Sequence, residues 1–323
     1  MNAIKHICFF SAVVFLLSGC LKEESPVLPH VQGDIIEGQV ELGTTYGLQV
    51  YYDLASNSVV STNQKTDWDL SFECEVGGWH VLLNSSLAAA AADLGEVDFA
   101  SVNNTDDAVW NWDLQTGLLD SSAIGDYRNL NHVYLIDRGY NEAGVPLGFK
   151  KIMLEFNEDE TFYIRSANLD GSEDETDTIM KDPNINFKSY SFNTNSVIDI
   201  EPNKNEWDLL FSQYTHVFQN PTLPYLVTGV LLNRYNTVCA QEEAIPFDDI
   251  TYEIAGAYDF SSDINTIGYD WKSYDFDLSQ FTIVDNLSYV IKTNNEIFFK
   301  LRFIDFYNDQ GQKGAPKFEL QDL

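Results

Sequence analysis

The chain has 323 residues, 44% of them hydrophobic and 14% aromatic, which is enough apolar material for one large or two ordinary domains and is not a disordered composition. Asp and Glu number 50 against 18 Lys and Arg, a formal net charge of −32. A field of that sign repels nucleic acid and anionic lipid head groups, and so excludes both as electrostatic partners.

The chain opens with Lys5 ahead of an apolar run from Ile7 to Leu17. That run is shorter than the roughly 20 residues a membrane-spanning helix needs, but it suits a secretory signal. It ends in Leu17-Ser18-Gly19-Cys20, which resembles the bacterial lipobox, with an ordinary signal peptide and a chance cysteine as the alternative. The expectation is a signal peptide over 1–19, lipidation at Cys20 and a Pro- and Gly-bearing tether over 20–34. Leu21-Lys22-Glu23-Glu24 resembles the export signal of surface-exposed lipoproteins, which places the protein on the outer membrane, facing outward. No later apolar run reaches membrane length, so the lipid is the expected hold on the membrane.

From residue 35 the chain reads as strands. Aromatic and β-branched runs at Thr45–Tyr52, Val81–Asn84, Val133–Asp137, Lys151–Phe156, Phe162–Ser166, Tyr225–Leu232, Tyr289–Thr293 and Ile297–Phe306 are separated by turn residues such as Gly77-Gly78, Asp170-Gly171 and Asn294-Asn295. Leu87–Leu94, with its five alanines, is the one segment predicted as a short helix. The fold class is all-β and antiparallel, with little helix.

The pattern also repeats. Asp67-Trp68-Asp69-Leu70-Ser71-Phe72 matches Glu206-Trp207-Asp208-Leu209-Leu210-Phe211, and Val81-Leu82-Leu83-Asn84 matches Val230-Leu231-Leu232-Asn233. Ile124-Gly125-Asp126-Tyr127 is echoed at Ile267-Gly268-Tyr269-Asp270, and Val133–Ile136 at Tyr289–Lys292, in the same order. A duplicated β module is expected, with halves at 35–195 and 196–323. Within the repeated element, strand alternation puts Trp68, Leu70 and Phe72 on one face and Asp69 on the other, where its carboxylate serves turn amides or a neighbouring indole rather than catalysis.

Cys74 and Cys239 could form a disulfide closing a loop of about 165 residues, or could be two small buried hydrophobes. Asn168–Asp177 gathers acids around Gly171 but lacks the spacing of an EF-hand, and reads as a solvated acidic hairpin ahead of a calcium loop. Asp177-Thr178-Ile179 fits a short O-glycosylation acceptor pattern. There is no Gly-x-Ser-x-Gly, no zinc-spaced Cys/His cluster and no phosphate-cradling glycine loop, so no enzyme is expected.

The Trp207–Phe211 strand, the Tyr225–Asn233 strand, the Trp271–Phe276 segment and the closing Phe298–Asp309 strand together resemble the HmuY family of haem-scavenging surface lipoproteins. The resemblance implies an all-β fold likened to a right hand, a haem or related tetrapyrrole ligand, and transfer to an outer-membrane haem transporter. It also implies a pair of His or Met ligands ahead of the closing strand, where this chain has Phe276 and no His beyond His216. Haem ligands would therefore come from His80 and His216, each following a Trp-Asp strand, with His132 next and His30 last. Met153 and Met180 are the methionines left for such a role. The alternative is an envelope module that has lost iron ligation and binds a protein or glycan.

Overall fold

Side-chain alternation, not helical periodicity, organises residues 32–323, which a computed structural model describes. In chain order the strands are β1 (Ile36–Gln39), β2 (Leu48–Asp53), β3 (Ser58–Gln64), β4 (Leu70–Glu73), β5 (Val81–Leu83), β6 (Ala90–Asp93), β7 (Tyr134–Asp137), β8 (Phe149–Phe156), β9 (Phe162–Ala167) and β10 (Glu175–Ile179). There follow β11 (Phe187–Ser191), β12 (Ser196–Ile198), β13 (Leu209–Gln219), β14 (Thr222–Leu232), β15 (Thr237–Glu242), β16 (Lys272–Asp275), β17 (Gln280–Ile283), β18 (Ser288–Thr293), β19 (Phe298–Tyr307) and β20 (Lys313–Asp322). The expected signal peptide, Cys20, His30 and all but the end of the expected tether lie outside the described residues. No described helix is long and apolar enough to cross a membrane.

The strands pair antiparallel into two four-stranded sheets, β12-β11-β4-β5 and β3-β2-β13-β14, two five-stranded sheets, β10-β9-β8-β7-β6 and β1-β20-β19-β18-β15, and the hairpin β16-β17. Each four-stranded sheet shares a core with one five-stranded sheet. Leu70, Phe72, Tyr134, Ile152, Phe162 and Tyr190 meet in the first sandwich. Val50, Phe211, Ile291, Leu301, Phe303 and Phe318 meet in the second. Burying one such side chain is worth about 1.5–3 kcal/mol, so these inward faces dominate the stability.

The strand orders of the two sandwiches coincide position by position, so the duplication is structural. It does not divide the chain at residue 195, however. β1, β2 and β3 hold the places in the second sandwich that β10, β11 and β12 hold in the first. Ile36 lies opposite Leu320, and Tyr52 opposite Leu209, whereas residues 35–64 were expected with the N-terminal half. The motif matches run forward from each Trp-Asp element, and the strands that complete the second sandwich come from the other end of the chain.

Equivalent polar residues repeat the same contacts. Asn84 Nδ2 donates to the carbonyls of Lys65 and Trp68, and Asn233 Nδ2 to those of Lys204 and Trp207, all at 2.8 Å. The Asp69 carboxylate accepts the amide of Phe192 at 2.7 Å, and that of Asp208 the amide of Leu54 at 3.0 Å. Both aspartates therefore hold backbone together, as the repeat motif implied. Leu70 and Phe72 do share the core face, but Trp68 does not. It precedes β4, and its indole N–H donates to Gln49 Oε1 on β2 of the other sandwich at 2.7 Å.

The alanine-rich segment is not a helix. Ser85–Leu87 forms a 3-10 turn and Ala90–Asp93 is β6, paired with β7. Ala91 packs into the core of the first sandwich while Ala92 packs into a second cluster with Phe99 and Leu135 on the opposite face. A strand covered on both sides needs small side chains, and that requirement overrides the helical preference of alanine. Cys74 and Cys239 are both buried and free, the second of the two alternatives, and they sit at β4 and β15 in different sandwiches.

Gly229 marks a close crossing of backbones. A Cβ there would stand 2.3 Å from the Gly268 carbonyl oxygen, to whose residue Val230 is also bridged. Gly229→Ala is expected to cost about 2 kcal/mol or more, read as a lowered urea midpoint with unchanged far-ultraviolet dichroism. A wild-type midpoint would mean the crossing yields freely.

Candidate functional site

A strand has two faces, and the outward faces of the two four-stranded sheets turn toward each other. Ser71 and Ser189 look out from the first sheet, and Gln49, Tyr51, Ser212 and Tyr214 from the second. These residues alternate with the core positions Phe72, Tyr190, Val50 and Phe211. Trp68 and Trp207, the paired tryptophans of the repeat, close the sides, with Tyr51 edge-on to Trp207 at 4.9 Å. The loop joining β6 to β7 and the loop between β15 and β16 meet over the opening, where the Ile264 amide donates to the Thr116 carbonyl at 2.9 Å. The cavity measures about 160 Å³.

Two carboxylates and one guanidinium line it. Asp113 accepts the amides of Leu83 and Ala123, one on each oxygen at 2.7 Å, which pins the loop to the sheet. Glu201 accepts the amides of Asn186 at 3.1 Å and Phe187 at 2.9 Å. Burial raises Asp113 to about 6 and Glu201 to about 7, because the charged forms lose water that the amides only partly replace. Arg234, on the turn after β14, donates one Nη1 bond to the Gly117 carbonyl and lies over the Phe187 ring at 5.5 Å. Among the described residues no carboxylate lies within ion-pair distance of it.

The same outward face of β13 and β14 continues beyond the cavity. After Leu210, Ser212 and Tyr214 come His216 and Phe218, opposite Tyr225 and Leu223 in the register of the hairpin. Phe218, Leu223 and Tyr225 are 43%, 52% and 60% exposed. The His216 ring is edge-on to Phe218 at 4.6 Å and to Tyr269 at 5.4 Å, and its buried Nδ1 has no hydrogen-bond partner.

The other histidines stand apart from this face. His80, just before β5, has Nδ1 bonded to the Glu73 carboxylate at 2.6 Å and a buried Nε2 without a hydrogen bond, 3.6 Å from Asp120. Glu73 is held below the usual carboxylate range, against the opposing effect of burial, by bonds from His80 and Tyr235. His132 pairs with Asp93 at 2.9 Å near the surface end of β7. No contact joins any two of His80, His132 and His216 among the described residues. Met153 packs beside the Phe99 cluster and Met180 is exposed. Three acids of the 168–177 hairpin are engaged by neighbours: Glu173 with Lys150, Asp174 with Arg165 and Asp177 with Tyr190. No group of three metal-ligating side chains occurs among the described residues.

Arg234, Asp113 and Glu201 carried no signal in the sequence, since they lie in loops outside the repeated strands. The doubled Trp-Asp element did point at the cavity, through Trp68 and Trp207.

The family model described as HmuY protein matches residues 45–320. Three solved structures are similar at low identity. One is apo PinO from Porphyromonas gingivitis (8% identity, 90% of this chain and 97% of that one, TM-score 0.30). Another is the apo HmuY analog TFO from Tannerella forsythia (10%, 90% and 97%, TM-score 0.25). The third is an HmuY-like heme binding protein, so described, from Bacteroides vulgatus (15%, 41% and 82%, TM-score 0.21). A search of curated proteins finds no match.

Proposed function

This chain belongs to the HmuY family, and on that premise we propose that it is a lipid-anchored binding protein of the outer cell surface that takes up haem, or a related tetrapyrrole, for transfer to an outer-membrane transporter. The observation that carries the reading is the environment of His216. A partly buried imidazole bordered by three exposed apolar or aromatic side chains on one sheet face offers an axial ligand for iron beside an apolar bed for a porphyrin plane. Bound tetrapyrrole would lie on that open face, because the neighbouring cavity of about 160 Å³ falls below the roughly 300–1,000 Å³ typical of sites for drug-sized ligands. His80 is the second candidate. Its Nδ1 bond to Glu73 is the arrangement that fixes the tautomer of metal-ligating histidines and leaves Nε2 as the ligating atom. His132 is the weakest of the three, being paired with Asp93 at the surface.

The test is a haemin titration of the full chain in non-ionic detergent, followed by difference absorbance in oxidised and reduced forms. A saturable one-to-one Soret shift is expected. His216→Ala should remove it or weaken binding about tenfold or more, while His132→Ala leaves it unchanged. A spectrum identical to haemin in detergent alone would defeat the haem reading and leave the fold as an envelope module for a protein or glycan partner.

A further inference from the structure

We propose that the cavity between the two four-stranded sheets is a binding site for a small aromatic or branched organic monocarboxylate, anchored by Arg234. Neither His216 nor a tetrapyrrole takes part, so the site stands apart from the haem reading. The argument begins with the balance of donors and acceptors. Both carboxylates of the lining have each oxygen engaged by a backbone amide. Arg234 has five N–H donors, of which one reaches the Gly117 carbonyl, and no acid within ion-pair distance. The buried Trp207 indole N–H faces Glu201 without a well-formed hydrogen bond, and the buried Tyr214 hydroxyl has no partner. The lining is thus short of acceptors around a cation, and a carboxylate supplies two in the planar geometry that a guanidinium matches.

The rest of the lining sets the body of the ligand. Trp68, Trp207, Tyr51, Leu82, Leu210 and Leu231 give apolar walls. A cavity of about 150 Å³ accepts benzene, so 160 Å³ admits a ring of that size with a small substituent and excludes a porphyrin. Asp113 and Glu201 oppose an anion to the extent that they are ionised, and with burial raising them to about 6 and about 7 that opposition falls away as the pH drops below 6. Among the 18 basic residues of so acidic a chain, a cavity-lining guanidinium beside the Phe187 ring, with no carboxylate within ion-pair distance, is most simply a ligand anchor.

Sodium benzoate and the neutral isostere benzamide are titrated calorimetrically into the full chain in non-ionic detergent. Saturable binding of benzoate is expected, with benzamide at least tenfold weaker. Arg234→Gln should remove that preference, and Arg234→Lys should restore part of it. If Arg234→Gln fails to fold, Leu82→Trp serves instead: it fills the cavity while keeping the cation, and should abolish binding of both probes without altering the haemin titration. Equal affinity for the two probes, no saturable heat up to tens of millimolar benzoate, or unchanged binding in a folded Arg234→Gln or Leu82→Trp chain would overturn the proposal.

Discussion

Lys300→Met is expected to lower the stability of the second sandwich by about 3 kcal/mol, and Lys151→Met to lower that of the first by the same amount within about 1 kcal/mol. Both lysines sit near the start of long central strands, β19 and β8, and are 1% exposed, where an ammonium is costly unless its protons are taken up. They are. Lys300 Nζ donates to the carbonyls of Phe247 and Ile250 at 2.7 and 3.0 Å, around the 3-10 turn Phe247–Asp249. Lys151 Nζ donates to the carbonyls of Phe99 and Val102 at 2.9 and 2.8 Å, around the 3-10 turn Phe99–Ser101. Each also lies over the aromatic ring of its turn, Phe247 at 4.8 Å and Phe99 at 4.9 Å. Methionine keeps the apolar stem and removes the donor. Two charge-assisted hydrogen bonds go, and two buried carbonyls lose a partner. Relief of ammonium desolvation offsets part of the loss, and the balance is about 3 kcal/mol. Urea unfolding of both single variants and the double variant checks this. Additive losses in the double, or separate shifts of two resolved transitions, fit independent clamps. A loss below about 0.5 kcal/mol in either would mean that its turn is held by packing alone.

The lysine pair shows what was legible and what was not. Strand alternation in Lys151–Phe156 and Ile297–Phe306 located β8 and β19, because a half-buried strand writes its environment every second residue. The Trp-Asp and Val-Leu-Leu-Asn matches located the duplication, because the same residues rebuild the same Asn84 and Asn233 bridges. Lys151 and Lys300 occupy equivalent places beyond those motifs in the two copies, yet nothing local marks a lysine as buried. Its burial is decided by the turn that folds over it from about 50 residues away. The placement of β1–β3 was hidden for a related reason: hydrogen bonds between chain ends leave no spacing in the sequence. The cavity was half legible. Trp68 and Trp207 belong to the repeat, whereas Arg234 and Asp113 are loop residues brought together by packing of the two sandwiches. The histidines were legible only as candidates, since what separates His216 from His132 is its neighbours.

A second large effect follows from the way the two copies of the Trp-Asp motif have diverged. The fold uses Asp208 as an acceptor for the Leu54 amide, in a buried site beside Asp53. Desolvation, with the Asp53 carboxylate adding to it, raises Asp208 to about 6 from the ordinary 3.8. A carboxyl group whose pKa is higher in the folded chain than in the unfolded one binds more protons when folded between those two values. Its contribution to stability is therefore complete below about pH 4 and is lost as the pH rises through about 6. A rise from 3.8 to about 6 corresponds to about 3 kcal/mol. Asp208→Asn keeps an oxygen for Leu54 and carries no charge. The variant should match the parent near pH 4 and exceed it by up to about 3 kcal/mol at pH 7.5, a difference in which titrations elsewhere cancel. Substitution of Asp69, in the same place in the first sandwich, is expected to have the opposite effect at pH 7.5. Arg138 grips it through Nε at 2.7 Å and Nη2 at 3.2 Å, with the guanidinium side chain 10% exposed. Asp69→Asn leaves that cation without its counter-charge and should destabilise the chain at pH 7.5 by about 3 kcal/mol. Chemical denaturation of both variants at pH 4.5, 6 and 7.5 decides the matter. Parallel pH profiles for the parent and Asp208→Asn would show that Asp208 is ionised at no cost, and that the Leu54 amide alone is enough to hold its charge.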